Sequence, residues 1–153
     1  MKLNGRRAIV SVLLLSTLFA GSAVTAPSAS AYFRGTPSEK AVVYMTNMAR
    51  RAAGRGDLRY SYALSKLARK HSLLMANTGT IFHTYNLGGV LRSFSWWLAG
   101  ENVGMGPGLA VLQQAFMNSP EHRANILDSR FHRFGVGVVW KNGIAFVTVD
   151  FLS

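Results

Sequence analysis

The sequence predicts an α+β domain, and three observations carry that prediction. Apolar residues recur at helical spacing through several segments between residues 37 and 127. Two β-rich runs, "FGVGVVW" (134–140) and "IAFVTVDF" (144–151), close the chain, joined through Lys141-Asn142-Gly143. No strand alternates with a helix along the way. Asn-Gly between two such runs is the strongest short-range hairpin signal. Helices first and strands afterwards point to helices packed on an antiparallel sheet, not to a parallel βαβ array.

Residues 1–31 stand apart from that domain. Lys2, Arg6 and Arg7 precede the apolar run "AIVSVLLLSTLFAGSAV", and two small-residue sites follow, ending at Ala26 and Ala31. This is the layout of a secretory signal peptide, with Ala31 favoured over Ala26 as the cleavage point. The competing reading is an uncleaved anchor, since the run nearly reaches bilayer length. Small and hydroxylated residues inside it favour export. No second apolar span follows, so the sequence predicts no transmembrane anchor after cleavage and a secreted, extracellular protein. Residues 32–153 then form a single domain, long enough for one core and too short for two.

The whole chain carries a formal charge of +11, and loss of Lys2, Arg6 and Arg7 with the leader lowers it to +8. Such a balance favours anionic surroundings such as cell-envelope polymers, lipid headgroups or nucleic acid. The basic residues are scattered, and no basic-aromatic motif accompanies them, so a nucleic-acid partner has only charge in its favour. There is no cysteine. Disulfides, thiol nucleophiles, thiolate zinc sites and iron–sulfur clusters are therefore excluded.

Thr36-Pro37-Ser38-Glu39 places an N-cap, a proline at the first helical position and a glutamate at the third, a capping box. It predicts a helix from there to Gly54 that buries Val42, Met45 and Ala49. Ser61 caps a second helix whose inward stripe is Leu64, Leu67, Ala68, His71, Leu74 and Met75, and Gly79 stops it. Residues 80–108, rich in glycine and aromatics, show no sustained period and predict a long ordered loop with one short strand; a loop of that length is usually functional. Residues 109–118 predict a third helix facing inward through Leu109, Leu112, Ala115 and Phe116. Ser119-Pro120 starts a short fourth one with His122 in its first turn.

With cysteine absent, site chemistry falls to histidines, carboxylates and hydroxyls. His71 lies on an apolar stripe, where a histidine is most often a core residue bonded to a carbonyl. His132, between Arg130 and Arg133, predicts a solvated surface position. His83 and Glu101 both fall in the aperiodic segment, Glu101 between Gly100 and Asn102. A carboxylate in apolar, glycine-rich surroundings either caps a turn or works with a cation. Two imidazoles and a carboxylate with an open position would suit a catalytic-type zinc site, although the intervals from His83 to Glu101 to His122 match no recognised ligand spacing.

The segments "TGTIFHTYNLGG", "AGENVG" and "FMNSPEHRANILDSRFHRFGVGVV", with "ALSKLARKHSLLMA" before them, resemble successive signatures of the CAP superfamily. That family embraces cysteine-rich secretory proteins, antigen 5 and pathogenesis-related proteins, and the resemblance is to its small, cysteine-free bacterial secreted branch. It covers nearly the whole chain after the leader. It implies an α-β-α sandwich with a small antiparallel sheet between helical layers, around a cleft lined by His and Glu. By position it implies that His83 and His122 hold zinc or another divalent cation, with Glu101 and Asn102 in the cleft and Glu101 the candidate base. It also implies a small-molecule or lipid-like ligand, for which Phe94, Trp96, Trp97 and Leu98 could form a wall, core packing being their competing role.

One departure bears on chemistry. Animal and plant members carry a second glutamate in a Trp-x-x-Glu pattern, where this chain has Phe116 and Ser119; Glu121 stands elsewhere in the motif. Without a pair of glutamates, acid–base hydrolysis loses half its machinery. The sequence thus favours an envelope-facing binding module over an enzyme. The alternative is a metal-dependent extracellular hydrolase, peptidase-like, using His83, His122 and Glu101.

Overall fold

The computed structural model describes residues 33–153; the leader predicted at 1–31 lies outside them. In chain order the elements are α1 (Pro37–Ala52), β1 (Arg59–Tyr60), α2 (Tyr62–Thr78), α3 (Leu87–Val90), β2 (Ala99–Gly106), α4 (Leu109–Asn118), α5 (Pro120–Leu127), β3 (Arg133–Lys141) and β4 (Ile144–Leu152). The four strands form one sheet in the order β1-β3-β4-β2. β4 pairs antiparallel with both β3 and β2, and the two-residue β1 adds a parallel edge to β3. Asn142 and Gly143 adopt the left-handed region, φ 50° and 75°, at the turn predicted for them.

Pleat alternation sorts the sheet into two faces. Phe134, Val136, Val138, Val147, Val149 and Phe151 form one core with Val42 of α1, Leu112 and Phe116 of α4, and Ile126 of α5. On the opposite face Met75 and Ala76 of α2 pack on Val103 and Phe146, and Leu64 packs with Leu91 and Leu152. Helices thus cover both faces of the sheet, giving the α-β-α sandwich.

The capping box closes as the sequence predicts. Thr36 Oγ1 accepts from the Glu39 amide and Glu39 Oε2 accepts from the Thr36 amide, at 3.2 and 2.8 Å. Ser61 caps α2, and Gly79 ends it in the left-handed conformation at φ 75°. Among the residues predicted to face inward, Leu74 is 52 % exposed and Ala115 is also exposed. The buried positions Ser65 and Ser72 instead bond the sheet, to the Val136 amide, the Gly137 carbonyl and Thr148.

The larger departure is β2. Residues 99–106 form an eight-residue strand where the sequence predicts mostly loop. Its helix-facing positions include Gly100 and Gly104, and a Cβ on Gly104 would stand 2.9 Å from Phe116. Close approach of α4 demands glycine there, which erases the apolar alternation that marks a strand.

Candidate functional site

β2 displays its residues alternately, so Glu101 and Asn102 point to opposite faces of the sheet. Both are buried. Glu101 faces the α2 side, where the loop after α2 folds over it. Its Oε1 accepts from the Thr84 amide and lies 2.8 Å from His83 Nδ1, while its Oε2 accepts from the Thr84 hydroxyl at 2.5 Å. One buried carboxylate thereby fixes a loop that has no ladder of its own.

Asn102 serves the other side. Its Nδ2 donates to the His122 carbonyl at 3.0 Å, and its Oδ1 accepts from Asn125 Nδ2 at 2.9 Å. Asn125 also donates to the Glu101 carbonyl. Adjacent residues of one strand therefore position the two halves of the site: Glu101 holds His83, and Asn102 holds the backbone of the turn that carries His122.

Ser119 and Pro120 start α5 at the predicted place, with a physical difference. Ser119 makes no side-chain cap to the helix backbone; its Oγ is 2.8 Å from His122 Nδ1. The His122 ring also lies 5.1 Å from that of Phe116. Burial, reinforced by the nearby His83, holds the His122 imidazole below its ordinary pKa of 6.5, with Glu121 opposing. That coupling places the two histidines within electrostatic reach.

His83 and His122 share a pattern. Each is fixed through Nδ1, by Glu101 and Ser119 respectively, and among the described residues neither Nε2 has a hydrogen-bond partner. An imidazole oriented through one nitrogen with the other free is the arrangement of a metal ligand or a hydrogen-bonding wall. The donor set suits an open site with two nitrogens and not a closed cage: among the described residues no three His, Asp or Glu side chains converge to hold an ion.

Of the other two histidines, His132 follows the prediction, while His71 makes the predicted carbonyl bond from a half-buried position outside the core. His71 Nε2 is 2.7 Å from the Phe82 carbonyl, and its ring meets Phe82 edge-on. His132 is exposed.

Of the four residues weighed as a cleft wall or as core, two take the core role. Phe94 packs with the Leu64–Leu91–Leu152 cluster and Leu98 with the opposite core. Trp96 donates to the Leu91 carbonyl, and Trp97 is 69 % exposed. The cavity that reaches His83 and Thr84 is lined instead by residues of α2, the 82–90 segment and Asp150 of β4. Thr84 and Asp150 were not among the residues singled out from sequence. Asp150 carried a readable signal, an acidic residue inside the β-rich run "FVTVDF". Thr84 carried none.

Comparison with known proteins fits this architecture. Residues 43–151 match the model of the cysteine-rich secretory protein family, CAP. The protein YkwD of Bacillus subtilis is 36% identical over 113 residues, 69% of this chain and 44% of that protein, so the chain spans under half of that relative's length. An extracellular protein of Bacillus anthracis containing an SCP domain superposes with a TM-score of 0.66 at 28% identity, over 75% of this chain and 40% of that one. An outer surface protein of Borrelia burgdorferi shares the fold at a TM-score of 0.69 and 19% identity, over 76% and 92% of the two chains. Helical layers on both faces of a small sheet, a His–Glu pair joined across β2 and a second histidine on the following short helix accompany a family match over most of the chain: this cysteine-free protein belongs to the cysteine-rich secretory protein family, CAP.

Proposed function

We propose that the protein is an exported binding module of the cell envelope, whose His83–Glu101–His122 cleft takes a divalent cation and a small ligand. The observation that supports this most is the matched anchoring of the two imidazoles, each held through Nδ1 with Nε2 left for a ligand. Zinc or a similar ion would be held by His83 and His122 and by solvent or ligand, with Glu101 orienting His83 from behind. Export is supported by the leader-like N-terminus and by relatives described as extracellular or outer-surface proteins; among the described residues no helix is long and apolar enough to cross a membrane. The basic exterior suits anionic envelope polymers.

Glu101 is better suited to holding the site than to catalysis. Three donors already engage its carboxylate, and a general base must be free to take a proton from a bound water. This weighs against the hydrolase alternative.

Zinc titration of the protein by calorimetry at pH 7.5, a condition of about that value chosen so that histidine near pKa 6.5 is neutral, tests the reading. One site is expected, lost in His83→Ala and in His122→Ala. Unchanged binding in both variants would refute the shared site. Turnover of peptides or wall fragments that drops at least about tenfold in Glu101→Gln would favour the hydrolase instead.

A further inference from the structure

Few acids are left to answer the positive surface charge. Glu39, Glu101 and Asp150 are buried. Of the three acids that reach the surface, Asp57 and Asp128 each hold an arginine, Arg51 and Arg130, at 2.6 Å. Unanswered charge gathers at the β1 edge of the sheet. β1 and β3 set Arg59 and Arg133 side by side as parallel-ladder partners, so both side chains leave the same face of the sheet. The exposed His132 adjoins them, its carbonyl accepting from the Arg59 amide at 2.9 Å. Arg59 is exposed, and among the described residues no carboxylate pairs with either arginine. Like charges side by side on a sheet destabilise it, and an anion lying across them reverses the sign.

An exposed aromatic stands beside the arginines. Ser153 Oγ accepts from the Trp97 amide at 3.1 Å, and the Ser153 carbonyl accepts from the Arg133 guanidinium at 3.4 Å. The Ser95 carbonyl also accepts from Arg133. Trp97 is thus pinned next to Arg133 through its backbone, while its ring, mostly exposed, joins none of the cores.

We propose that this ledge binds an acidic polysaccharide, with carboxylates on Arg59 and Arg133 and the C–H face of a sugar ring on Trp97. A guanidinium fork matches a carboxylate at two points, and an indole face offers apolar area that a sugar C–H face can cover. A partner recognised by charge alone would leave the indole without a role. Seating on a bilayer draws on a broad apolar face, which one indole does not make. The envelope-facing reading above is the basis; the ledge adds to it a polymer class and a surface, and the cation plays no part.

The test is fluorescence anisotropy of a labelled oligogalacturonate titrated with the protein in EDTA at neutral pH. Binding is expected, weakening severalfold between about 50 and 500 mM salt as exposed charges are screened. Arg59→Gln should weaken it about fivefold, the upper value for an exposed ion pair. Trp97→Ala should weaken it by a similar factor, about fivefold, through the lost ring contact. Lys141→Gln, at the far end of β3, removes the same charge and should change affinity less than about twofold. Inorganic polyphosphate, which has no sugar ring, should bind Trp97→Ala as it binds the parent. Equal losses in Arg59→Gln and Lys141→Gln would mean diffuse charge and overturn the proposal. So would oligogalacturonate binding that ignores Trp97→Ala, or phosphatidylglycerol vesicles that bind the parent while the oligogalacturonate does not. Absent glycan binding beside an intact zinc isotherm refutes the ledge alone, and a lost zinc isotherm beside intact glycan binding refutes only the cation site.

Discussion

Thr84 gives both of its hydrogen-bond donors to Glu101, the amide to one carboxylate oxygen and the hydroxyl to the other. A residue from an irregular loop and a residue from a strand are thereby locked in a two-point contact that no backbone ladder supplies. Thr84→Val removes one donor while keeping shape. The unfolding free energy should fall by about 1–3 kcal/mol, the cost of leaving a buried acceptor short of a partner, as measured in urea. Exchange of the Thr84 amide should quicken as well. A change within about 0.5 kcal/mol, the range of an ordinary surface substitution, would show that the loop is held by other means.

Ser119 is a positioning residue for His122, if the metal reading holds. Ser119→Ala removes the Nδ1 partner without touching the free nitrogen. Zinc affinity should drop roughly 10–100-fold, the usual consequence of losing a ligand's supporting hydrogen bond, while the calorimetric stoichiometry stays at one. A metal site that ignores the substitution would have to be built on other atoms.

Glu39 concentrates two roles in one wholly buried carboxylate. It completes the α1 capping box and forms a bidentate pair with Arg69 of α2, at 2.7 and 2.6 Å. Removing one partner of a buried pair leaves the other charge uncompensated. Arg69→Met, which strands Glu39, should cost about 3–5 kcal/mol by chemical denaturation. Exchanging both residues for apolar ones of similar volume should cost much less than the single change.

The pH dependence of stability should carry the mark of Asp150. Its pKa is raised above the ordinary 3.8, first by burial and then by Glu101. Glu101 faces it from β2, and Lys70, His71 and His83 line the same cavity. The folded protein therefore keeps a proton that the unfolded chain releases, and stability falls as pH rises from about 3.8 through the folded-state pKa. Asp150→Asn removes that loss. The variant should be more stable than the parent near neutral pH, with the gap closing toward acid, in denaturation curves collected from about pH 4 to neutrality. A gap that stays constant with pH would show that Asp150 is ionised in the folded protein.

The sequence was most readable where local chemistry decides structure. The Thr36–Glu39 box, the Ser61 cap, the Gly79 stop and the Asn142-Gly143 turn are each settled within a few residues, and each stands where predicted. β2 was hidden because packing against α4 replaced its alternating side chains with glycine. The same limit applies to the site. The histidines and Glu101 are legible through their motifs, and their partners are not. Thr84 and Asp150 come from segments 17 and 49 residues away from Glu101, and only the sheet register and the loop over it bring them together. Phe94 and Leu98 show the converse, aromatic and aliphatic neighbours in sequence whose side chains join different cores.

The strand order β1-β3-β4-β2 also sets a sequence of events. β2 and β3 never touch as a ladder; among the three long strands each pairs only with β4, the segment made last of the three. During synthesis from the N-terminus, the three long strands can have no paired core until residues 144–152 emerge. The earlier helices must wait as loosely associated amphipathic segments, because closing distant contacts precedes any reward from them. A chain built this way stays threadable until its final strand arrives, then closes in one cooperative step around β4.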